Sequence, residues 1–139
     1  MARTVAEIMT RDPATIQADQ PVVEAARLMR ASDAGDVIVF DNGRVAGILT
    51  DRDIAMRVVA EGRDPAATPV REACSGELTT VTPATTIVEA VRLIRANAVR
   101  RLPVLDRGHL VGVVSIGDLA IERAEDSALA QVSAATGND

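Results

Sequence analysis

Apolar residues recur at helical spacing in two stretches of the chain, residues 21–31 and 86–96. The first apolar stripe consists of Val22, Ala25, Ala26, Leu28 and Met29, and the second of Ile87, Ala90, Val91, Leu93 and Ile94. Glutamate and arginine residues lie between these positions in both stretches. The spacing predicts two amphipathic helices, each with one face toward a hydrophobic core.

A pair of short apolar runs follows each predicted helix. Residues 37–40 and 45–49 are separated by Asp41-Asn42-Gly43-Arg44, and residues 102–105 and 110–114 by Asp106-Arg107-Gly108-His109. A glycine in so short a connection is typical of tight hairpin turns, because these turns need backbone of positive φ. The sequence therefore predicts two β-hairpins.

Shorter elements complete the pattern. We predict short helices over residues 5–9 and 70–74, brief strands near residues 14–16 and 79–81, and helices that begin after Thr50 and after Ser115. Thr4-x-x-Glu7 and Thr86-x-x-Glu89 are capping-box sequences, and Pro21 suits a first helical turn. The predicted order is helix, strand, helix, strand, strand, helix, and it occurs twice.

The second occurrence is a copy of the first. A shift of 65 residues aligns residues 5–56 with residues 70–121 without a gap. We therefore predict a mixed α+β fold of two repeats, related by a pseudo-twofold axis and packed through their sheets, with the pair as the folding unit. The predicted boundaries are residues 4–62 for the first repeat, 63–69 for a linker, 70–125 for the second repeat and 126–139 for a flexible tail.

Charge and aromatic content argue against nucleic acid as a partner. The 139 residues include 20 acidic and 15 basic side chains, a formal net charge of −5, and Phe40 is the single aromatic residue. The chain therefore lacks both the general positive charge that attracts phosphate backbones and the rings that stack on bases. No apolar run reaches membrane-spanning length and no signal-peptide pattern is present, so we expect a cytoplasmic protein without a membrane partner.

The residues of common catalytic centres are missing. All 15 basic side chains are arginine, which excludes Schiff-base lysines and the lysine of phosphate-binding P-loops. With His109 the only histidine and Cys74 the only cysteine, the chain has no intrachain disulfide, no four-ligand zinc site and no cysteine pair for redox sensing. We expect a solvated His109, and a Cys74 that packs as a small apolar residue with a pKa raised by Glu72 and Glu77. These observations favour a protein that is not an enzyme, with no metal and no required cofactor.

Two nine-residue stretches carry the remaining candidate chemistry. Residues 47–55 read GILTDRDIA and residues 112–120 read GVVSIGDLA, so each predicted hairpin ends in a hydroxyl residue followed three positions later by aspartate. One interpretation is a helix cap, in which Thr50 or Ser115 satisfies a backbone donor and the carboxylate complements the helix dipole. In the other, the helix start holds a phosphate while the aspartate accepts hydrogen bonds from both ribose hydroxyls. The two interpretations are compatible.

The repeat order, the duplication and the two Gly-x-x-Thr/Ser-x-x-Asp motifs together resemble a tandem pair of cystathionine-β-synthase (CBS) domains, also called a Bateman module. The resemblance covers roughly residues 4–125, and the chain looks most like small bacterial CBS pairs, some of which are stress-induced. It implies an adenosyl ligand such as AMP, ADP, ATP or S-adenosylmethionine in the cleft between the repeats. It also implies a homodimer formed through helices and an unidentified protein partner. The expected contact surface is apolar and lies on the last helix of each repeat, namely Ile54, Val58, Val59, Leu119 and Ile121.

The resemblance implies one candidate nucleotide site for each repeat. The second-repeat site consists of Arg100, Arg101, Ser115, Asp118, Ile8, Met9 and Val37. In it the arginines and Ser115 face phosphate, Asp118 faces the ribose, and the apolar residues line an adenine slot. The first-repeat site consists of Thr50, Arg52, Asp53 and Asp36. The alternative for the arginines is that they are solvated or paired with acidic residues.

The two sites differ in charge, which predicts a difference in their ligands. Arg100, Arg101 and Asp118 sum to +1, whereas Asp36, Asp51, Arg52 and Asp53 sum to −2. We expect the second site to prefer an anionic nucleotide, and the first to be weak, empty or suited to a neutral or cationic adenosyl compound. The favoured function is a regulatory sensor of adenosyl ligands. The alternative is a structural or interaction scaffold that has kept the fold and lost its ligand.

Overall fold

The computed structural model of the protein describes residues 3–76 and 78–121, which form two compact units. The central unit comprises Pro13–Leu78, and the terminal unit combines the chain up to Asp12 with the chain from Thr79 onward. The predicted tail, residues 126–139, and residues 122–125 of the predicted second repeat lie outside the described residues.

Eleven elements follow one another along the described chain before a last helical stretch, residues 116–121. They are a 3₁₀-helix (Val5–Glu7), β1 (Thr10–Arg11), β2 (Thr15–Gln17), α1 (Val22–Ser32), β3 (Asp36–Asp41), β4 (Arg44–Thr50), α2 (Asp51–Ile54) with its continuation as a π-helix (Ala55–Val59), a second 3₁₀-helix (Val70–Glu72), α3 (Ile87–Asn97), β5 (Arg101–Asp106) and β6 (His109–Ser115). The predicted mixed α+β fold is confirmed, with a three-stranded sheet in each unit.

The central unit is built on the sheet β2-β3-β4, in which β2 and β3 are parallel and β3 and β4 form an antiparallel hairpin. Asn42 and Gly43 at its turn have φ of 54° and 78°, as the Asn-Gly pair predicts. Apolar residues of α1 and of the π-helix pack on this sheet around a core that excludes water. The core consists of Ile16, Ala18, Val22, Ala25, Met29, Val37, Val39, Leu49, Val58, Val70 and Ala73.

The terminal unit has the same plan, with the sheet order β1-β6-β5. Its antiparallel hairpin β5-β6 turns at Arg107 and Gly108, which have φ of 54° and 82°. The predicted brief strand over 79–81 is reduced to a single bridge between Val81 and Val104, whereas β1, which the sequence pattern does not predict, pairs with β6. The core consists of Val5, Val81, Ile87, Ala90, Ile94, Leu102, Val104, Val114 and Leu119.

The short opening helix of each repeat belongs to the unit that holds the other repeat's hairpin. Val5 donates its N–H to the Thr85 carbonyl (2.8 Å), and Val70 donates in the same way to Gln20 (2.8 Å). Both valine side chains are fully buried. The compact units are therefore a different division of the chain from the two sequence repeats.

A glycine in the last strand of each hairpin lets the exchanged segment lie close against that strand. A Cβ atom on Gly47 would lie 2.4 Å from the Ser75 carbonyl oxygen, and one on Gly112 would lie 2.7 Å from both the Thr10 carbonyl oxygen and the Met9 sulfur. Real Cβ atoms do not approach other atoms so closely. Because only glycine leaves this space, the first residue of each GILT or GVVS motif is needed for packing.

The helices begin and end close to the predicted residues. The two long helices are each displaced by one residue, so Pro21 is the N-cap of α1 rather than part of its first turn. Thr86 caps α3 by accepting the Glu89 N–H (3.1 Å), but the predicted capping box is only half formed, because the Glu89 carboxylate pairs with Arg92 instead. The opening helices are single 3₁₀ turns, and the Glu7 carboxylate accepts hydrogen bonds from the N–H and hydroxyl of Thr4.

Candidate functional site

The second-repeat motif forms at the point where β6 ends and the last described helix begins. Ser115 Oγ accepts the N–H of Asp118 (3.0 Å), and Asp118 Oδ2 accepts the N–H of Ser115 (3.1 Å). These reciprocal bonds make a capping box, which satisfies two backbone donors at the helix start. Both side chains are half-buried. No described residue donates a hydrogen bond to Asp118 Oδ1, which leaves an acceptor beside the helix start.

The first-repeat motif has the same geometry. Thr50 Oγ1 accepts the N–H of Asp53 (3.0 Å), and Asp53 Oδ2 accepts the N–H of Thr50 (2.9 Å). The helix-cap interpretation is therefore confirmed for both motifs. A capped helix start and a ligand site are compatible, because each carboxylate has a second oxygen and each hydroxyl a further hydrogen-bonding position.

The register of the hairpins places residues of opposite charge across from the two hydroxyls. Arg101 pairs with Ser115 between β5 and β6, and Asp36 pairs with Thr50 between β3 and β4. Directly opposed residues of an antiparallel pair project from the same face of the sheet, with Cβ atoms about 5 Å apart. The structure thus brings a cation beside the hydroxyl of the second motif and an anion beside that of the first.

Arg100 lies immediately before β5, and its carbonyl oxygen accepts the N–H of Ile116 (2.7 Å). This bond fixes the chain next to the helix start, and the Arg100 residue is exposed. In the first repeat the matching bond runs from the Asp51 N–H to the Gly35 carbonyl oxygen (2.9 Å), so no side chain stands at the matching position. Arg52 lies on α2 and is exposed.

The apolar candidates are divided between the two units. Ile8 and Met9 are half-buried against the core of the terminal unit, which also holds Arg100, Arg101, Ser115 and Asp118. Val37 lies in the central unit, where its side chain is fully buried. Val37 therefore offers a ligand only backbone atoms, because its side chain already packs in the core.

Sequence reasoning missed Arg57, which lies beside the first motif. Its Nε atom is 4.0 Å from Asp53 Oδ1, and its Nη1 atom donates to the carbonyl oxygens of Ala73 (3.3 Å) and Cys74 (3.4 Å). The signal that could have revealed it is its spacing, since Asp and Arg four residues apart on a helix are neighbours. The contacts to residues 73 and 74 have no comparable signal in the sequence.

Cys74 packs against the core of the central unit, as expected of a small apolar residue. Burial is the main cause that raises the pKa of its thiol, and the carboxylate that contributes is Asp53. The prediction that Glu72 raises the pKa of the thiol was wrong, because Glu72 contributes nothing to the shift. The other predicted contributor, Glu77, lies outside the described residues. Cys74 is the counterpart of Met9, because the two positions are one repeat length apart.

Within residues 3–76 and 78–121, no three His, Cys, Asp or Glu side chains cluster closely enough to hold a metal ion. None of the helices in that part of the chain is long and apolar enough to cross a bilayer.

The family model described as "CBS domain" matches residues 5–60 and again residues 70–125. The chain belongs to the CBS domain family, with two CBS domains in tandem. Proteins of this kind are generally regulatory, and the fold often binds adenosyl ligands.

Individual relatives agree with this assignment. The "CBS domain-containing protein YhcV" of Bacillus subtilis is 40% identical over 134 residues, covering 94% of this chain and 95% of that protein. "Hypoxic response protein 1" of Mycobacterium tuberculosis is 32% identical over 118 residues, covering 84% and 82%. A solved structure of a putative signal-transduction protein with CBS domains from Burkholderia ambifaria has a TM-score of 0.80 and 36% identity, covering 88% of this chain and 95% of that one.

Proposed function

We propose that the protein is a regulatory sensor of adenosyl ligands, and that its principal site is the second-repeat motif. The observation that carries the proposal is the register of the two hairpins. Arg101 stands opposite Ser115, whereas Asp36 stands opposite Thr50. An anionic nucleotide is therefore attracted to the second motif and repelled from the first.

Each part of a nucleotide has a counterpart at the second motif. The phosphate lies at the helix start, where the Ser115 hydroxyl and the guanidinium groups of Arg100 and Arg101 supply donors. The ribose hydroxyls donate to the second oxygen of Asp118. The adenine packs against Ile8 and Met9, which belong to the same compact unit. AMP, ADP, ATP and S-adenosylmethionine all carry the adenosyl part that this arrangement recognises.

The sensor acts through association rather than chemistry. We propose a cytoplasmic homodimer that is not an enzyme and that docks a further, unidentified protein. Apolar residues exposed on the last helix of each domain favour self-association, namely Met56, Val59, Ile116 and Ile121. Val58 and Leu119, expected from the sequence to add to this surface, are instead buried in the unit cores. Hexameric assemblies among solved CBS relatives also support self-association.

The two motifs provide a matched test of the sensor. Asp118→Asn keeps an oxygen that can accept the Ser115 N–H, but it removes the charge that faces the ribose. We expect Asp118→Asn to weaken AMP or ATP binding by about tenfold or more, because hydrogen bonds to a charged acceptor are the stronger kind. The Asp53→Asn counterpart should weaken it by less than about threefold.

Thermal stabilisation and isothermal titration with AMP, ADP, ATP and S-adenosylmethionine measure both variants, because a ligand that binds only the folded state must stabilise it. Equal losses in the two variants, or a larger loss for Asp53→Asn, would contradict the preference for the second motif. If none of the four compounds stabilises the unsubstituted protein, the ligand-free scaffold becomes the better description.

A further inference from the structure

The helix that follows the first motif changes its hydrogen bonding where it passes the site. Helix α2 begins at Asp51, and the turn that carries Arg57 continues it as a π-helix over Ala55–Val59. The N–H of Ala60 bonds to the carbonyl oxygen of Ala55 (2.9 Å), five residues back, which is the bond that defines a π-helix. Such wide turns are rare and frequently lie at functional sites.

Arg57 is held in place from two directions. The Ala73 and Cys74 carbonyl oxygens accept from its Nη1 atom, while its Nε atom lies 4.0 Å from Asp53 Oδ1. The Asp53 side chain is 17% exposed and the Arg57 side chain 53% exposed, so the pair is only partly shielded from solvent. The guanidinium group therefore lies beside the one carboxylate oxygen that the capping box leaves available.

In the part of the chain that the structure describes, no arginine forms an ion pair with the carboxylate of the second motif, where Arg101 instead stands opposite Ser115. Asp118 forms no ion pair with residues 3–76 or 78–121, and the position one repeat length after Arg57 is Glu122, a residue of opposite charge. The two capping boxes have nearly equal hydrogen-bond lengths. The two sites therefore differ in the arginine beside the aspartate carboxylate, and not in the geometry of the capping boxes.

We propose that Arg57 is a specificity-determining residue that suppresses ribose binding at the first motif. This inference rests on the proposed adenosyl function. A carboxylate that already faces a fixed guanidinium is a weaker acceptor for a neutral hydroxyl, because part of its charge is compensated. The guanidinium also occupies the approach to Asp53 Oδ1. Arg57 therefore directs the ligand to the second motif by weakening the first.

The substitution Arg57→Met tests this role, because methionine is unbranched and carries no charge. Adenosine is the probe, since it carries the ribose but no phosphate that would respond to the loss of a cation elsewhere. The measurement is made in the full chain with Asp118→Asn, which weakens the second motif. We expect Arg57→Met to tighten adenosine binding by about two- to fivefold, the size of effect typical of a partly exposed ion pair.

Two further variants separate this role from a structural one. Arg57→Lys keeps the charge and should leave adenosine binding weak, whereas adding Asp53→Asn to Arg57→Met should abolish the gain. A residue that merely holds the segment at 73–74 would give no gain in adenosine binding on substitution, whatever the change in thermal stability. Unchanged or weaker adenosine binding in Arg57→Met overturns the proposal.

The experiment distinguishes a failure of the role proposed for Arg57 from a failure of the proposed adenosyl function. Nucleotide binding to the unsubstituted protein is measured first and reports mainly the second motif. If that binding is present and Arg57→Met shows no gain, only the role of Arg57 is overturned. If neither the unsubstituted protein nor any variant binds adenosine, AMP or ATP, both proposals are overturned.

Discussion

Asp53 and Asp118 occupy the same position in two copies of one cap, and the side chains around them determine what else each carboxylate can do. Asp53 has Arg57 beside it and Asp36 across the hairpin from Thr50. Asp118 has Arg101 across the hairpin from Ser115. Because the caps themselves are alike, our proposal assigns the difference in phosphate attraction between the two sites to the charged side chains around them.

Asp53 also acts on Cys74, which leads to a prediction about thiol reactivity. Burial and the nearby Asp53 carboxylate both raise the pKa of the thiol, so at neutral pH the thiolate fraction is smaller than that of an exposed cysteine. We expect the rate of alkylation by iodoacetamide to keep rising with pH beyond the range in which an ordinary thiol has already ionised. The rate is measured from pH 6 upward on the native chain, with the same chain unfolded in urea as the control. The prediction is refuted if the alkylation rate of the native chain rises over the same pH range as that of the unfolded chain, or over a lower one.

At the scale of elements, each hairpin is shaped to receive a segment from far along the chain. The Met9–Thr10 segment lies against β6 at Gly112, and the Cys74–Ser75 segment lies against β4 at Gly47. The contact at β6 forms a short strand, β1, whereas the one at β4 is a single bridge between Ile48 and Ser75. Both contacts place a sulfur-containing side chain, Met9 or Cys74, next to the strand that ends in the hydroxyl residue.

Gly112, which the Met9–Thr10 segment approaches closely, should not tolerate a side chain. Gly112→Ala places a methyl group 2.7 Å from the Thr10 carbonyl oxygen, and backbone atoms cannot move aside as a flexible side chain can. We expect a loss of about 1–3 kcal/mol in the free energy of unfolding, typical of an overpacked position. Urea denaturation measures this loss.

Gly76→Ala is the matched control, because a Cβ atom at Gly76 meets nothing within 4 Å. It should change the stability by less than about 0.5 kcal/mol, as surface substitutions usually do. Equal effects of the two substitutions would show that the close approach at Gly112 is not what requires glycine there.

At the scale of the whole molecule, the opening helices are exchanged between the repeats. Each compact unit takes a short helix from one repeat and a hairpin with its long helix from the other. The backbone bonds of the two exchanges are equivalent, since Val5 bonds to Thr85 as Val70 bonds to Gln20. This exchange explains why the pair of repeats, and not a single repeat, completes each core.

The exchange of opening helices predicts which compact unit a core substitution in an opening helix destabilises. Val5 is fully buried in the terminal unit, so Val5→Ala removes two buried carbon atoms there and should cost about 2 kcal/mol. We expect faster hydrogen exchange at the amides of β5 and β6, which share that core, and little change at β3 and β4. Mass spectrometry of exchanged peptides measures both regions.

Val70→Ala is the counterpart in the central unit, and it should reverse the pattern by acting on β3 and β4. If Val5→Ala instead accelerates exchange in β3 and β4, each opening helix packs with its own repeat and the exchange is absent in solution.

Much of the local structure could be predicted from the sequence. The long helices, the hairpins with their turns and the capping motifs all appear close to the predicted residues, because each depends on side chains within about four positions of one another or on alternation along a strand. The 65-residue repeat also determined that the two units share one plan. The candidate aspartates and hydroxyls were identified in the same way, as was the contrast between Arg101 and Asp36.

The tertiary structure alone decided which segments meet. The contacts of Val5 with residue 85, of Arg57 with residues 73 and 74, and of Met9 with Gly112 join positions that no local period connects. The same packing buried Val37, Val58 and Leu119, which the pattern along the chain had left available for a ligand or a partner. Local hydrogen bonding and periodicity depend on residues that are close together in the sequence. The choice between equivalent packing partners in two similar repeats depends instead on long-range packing of each hydrophobic core.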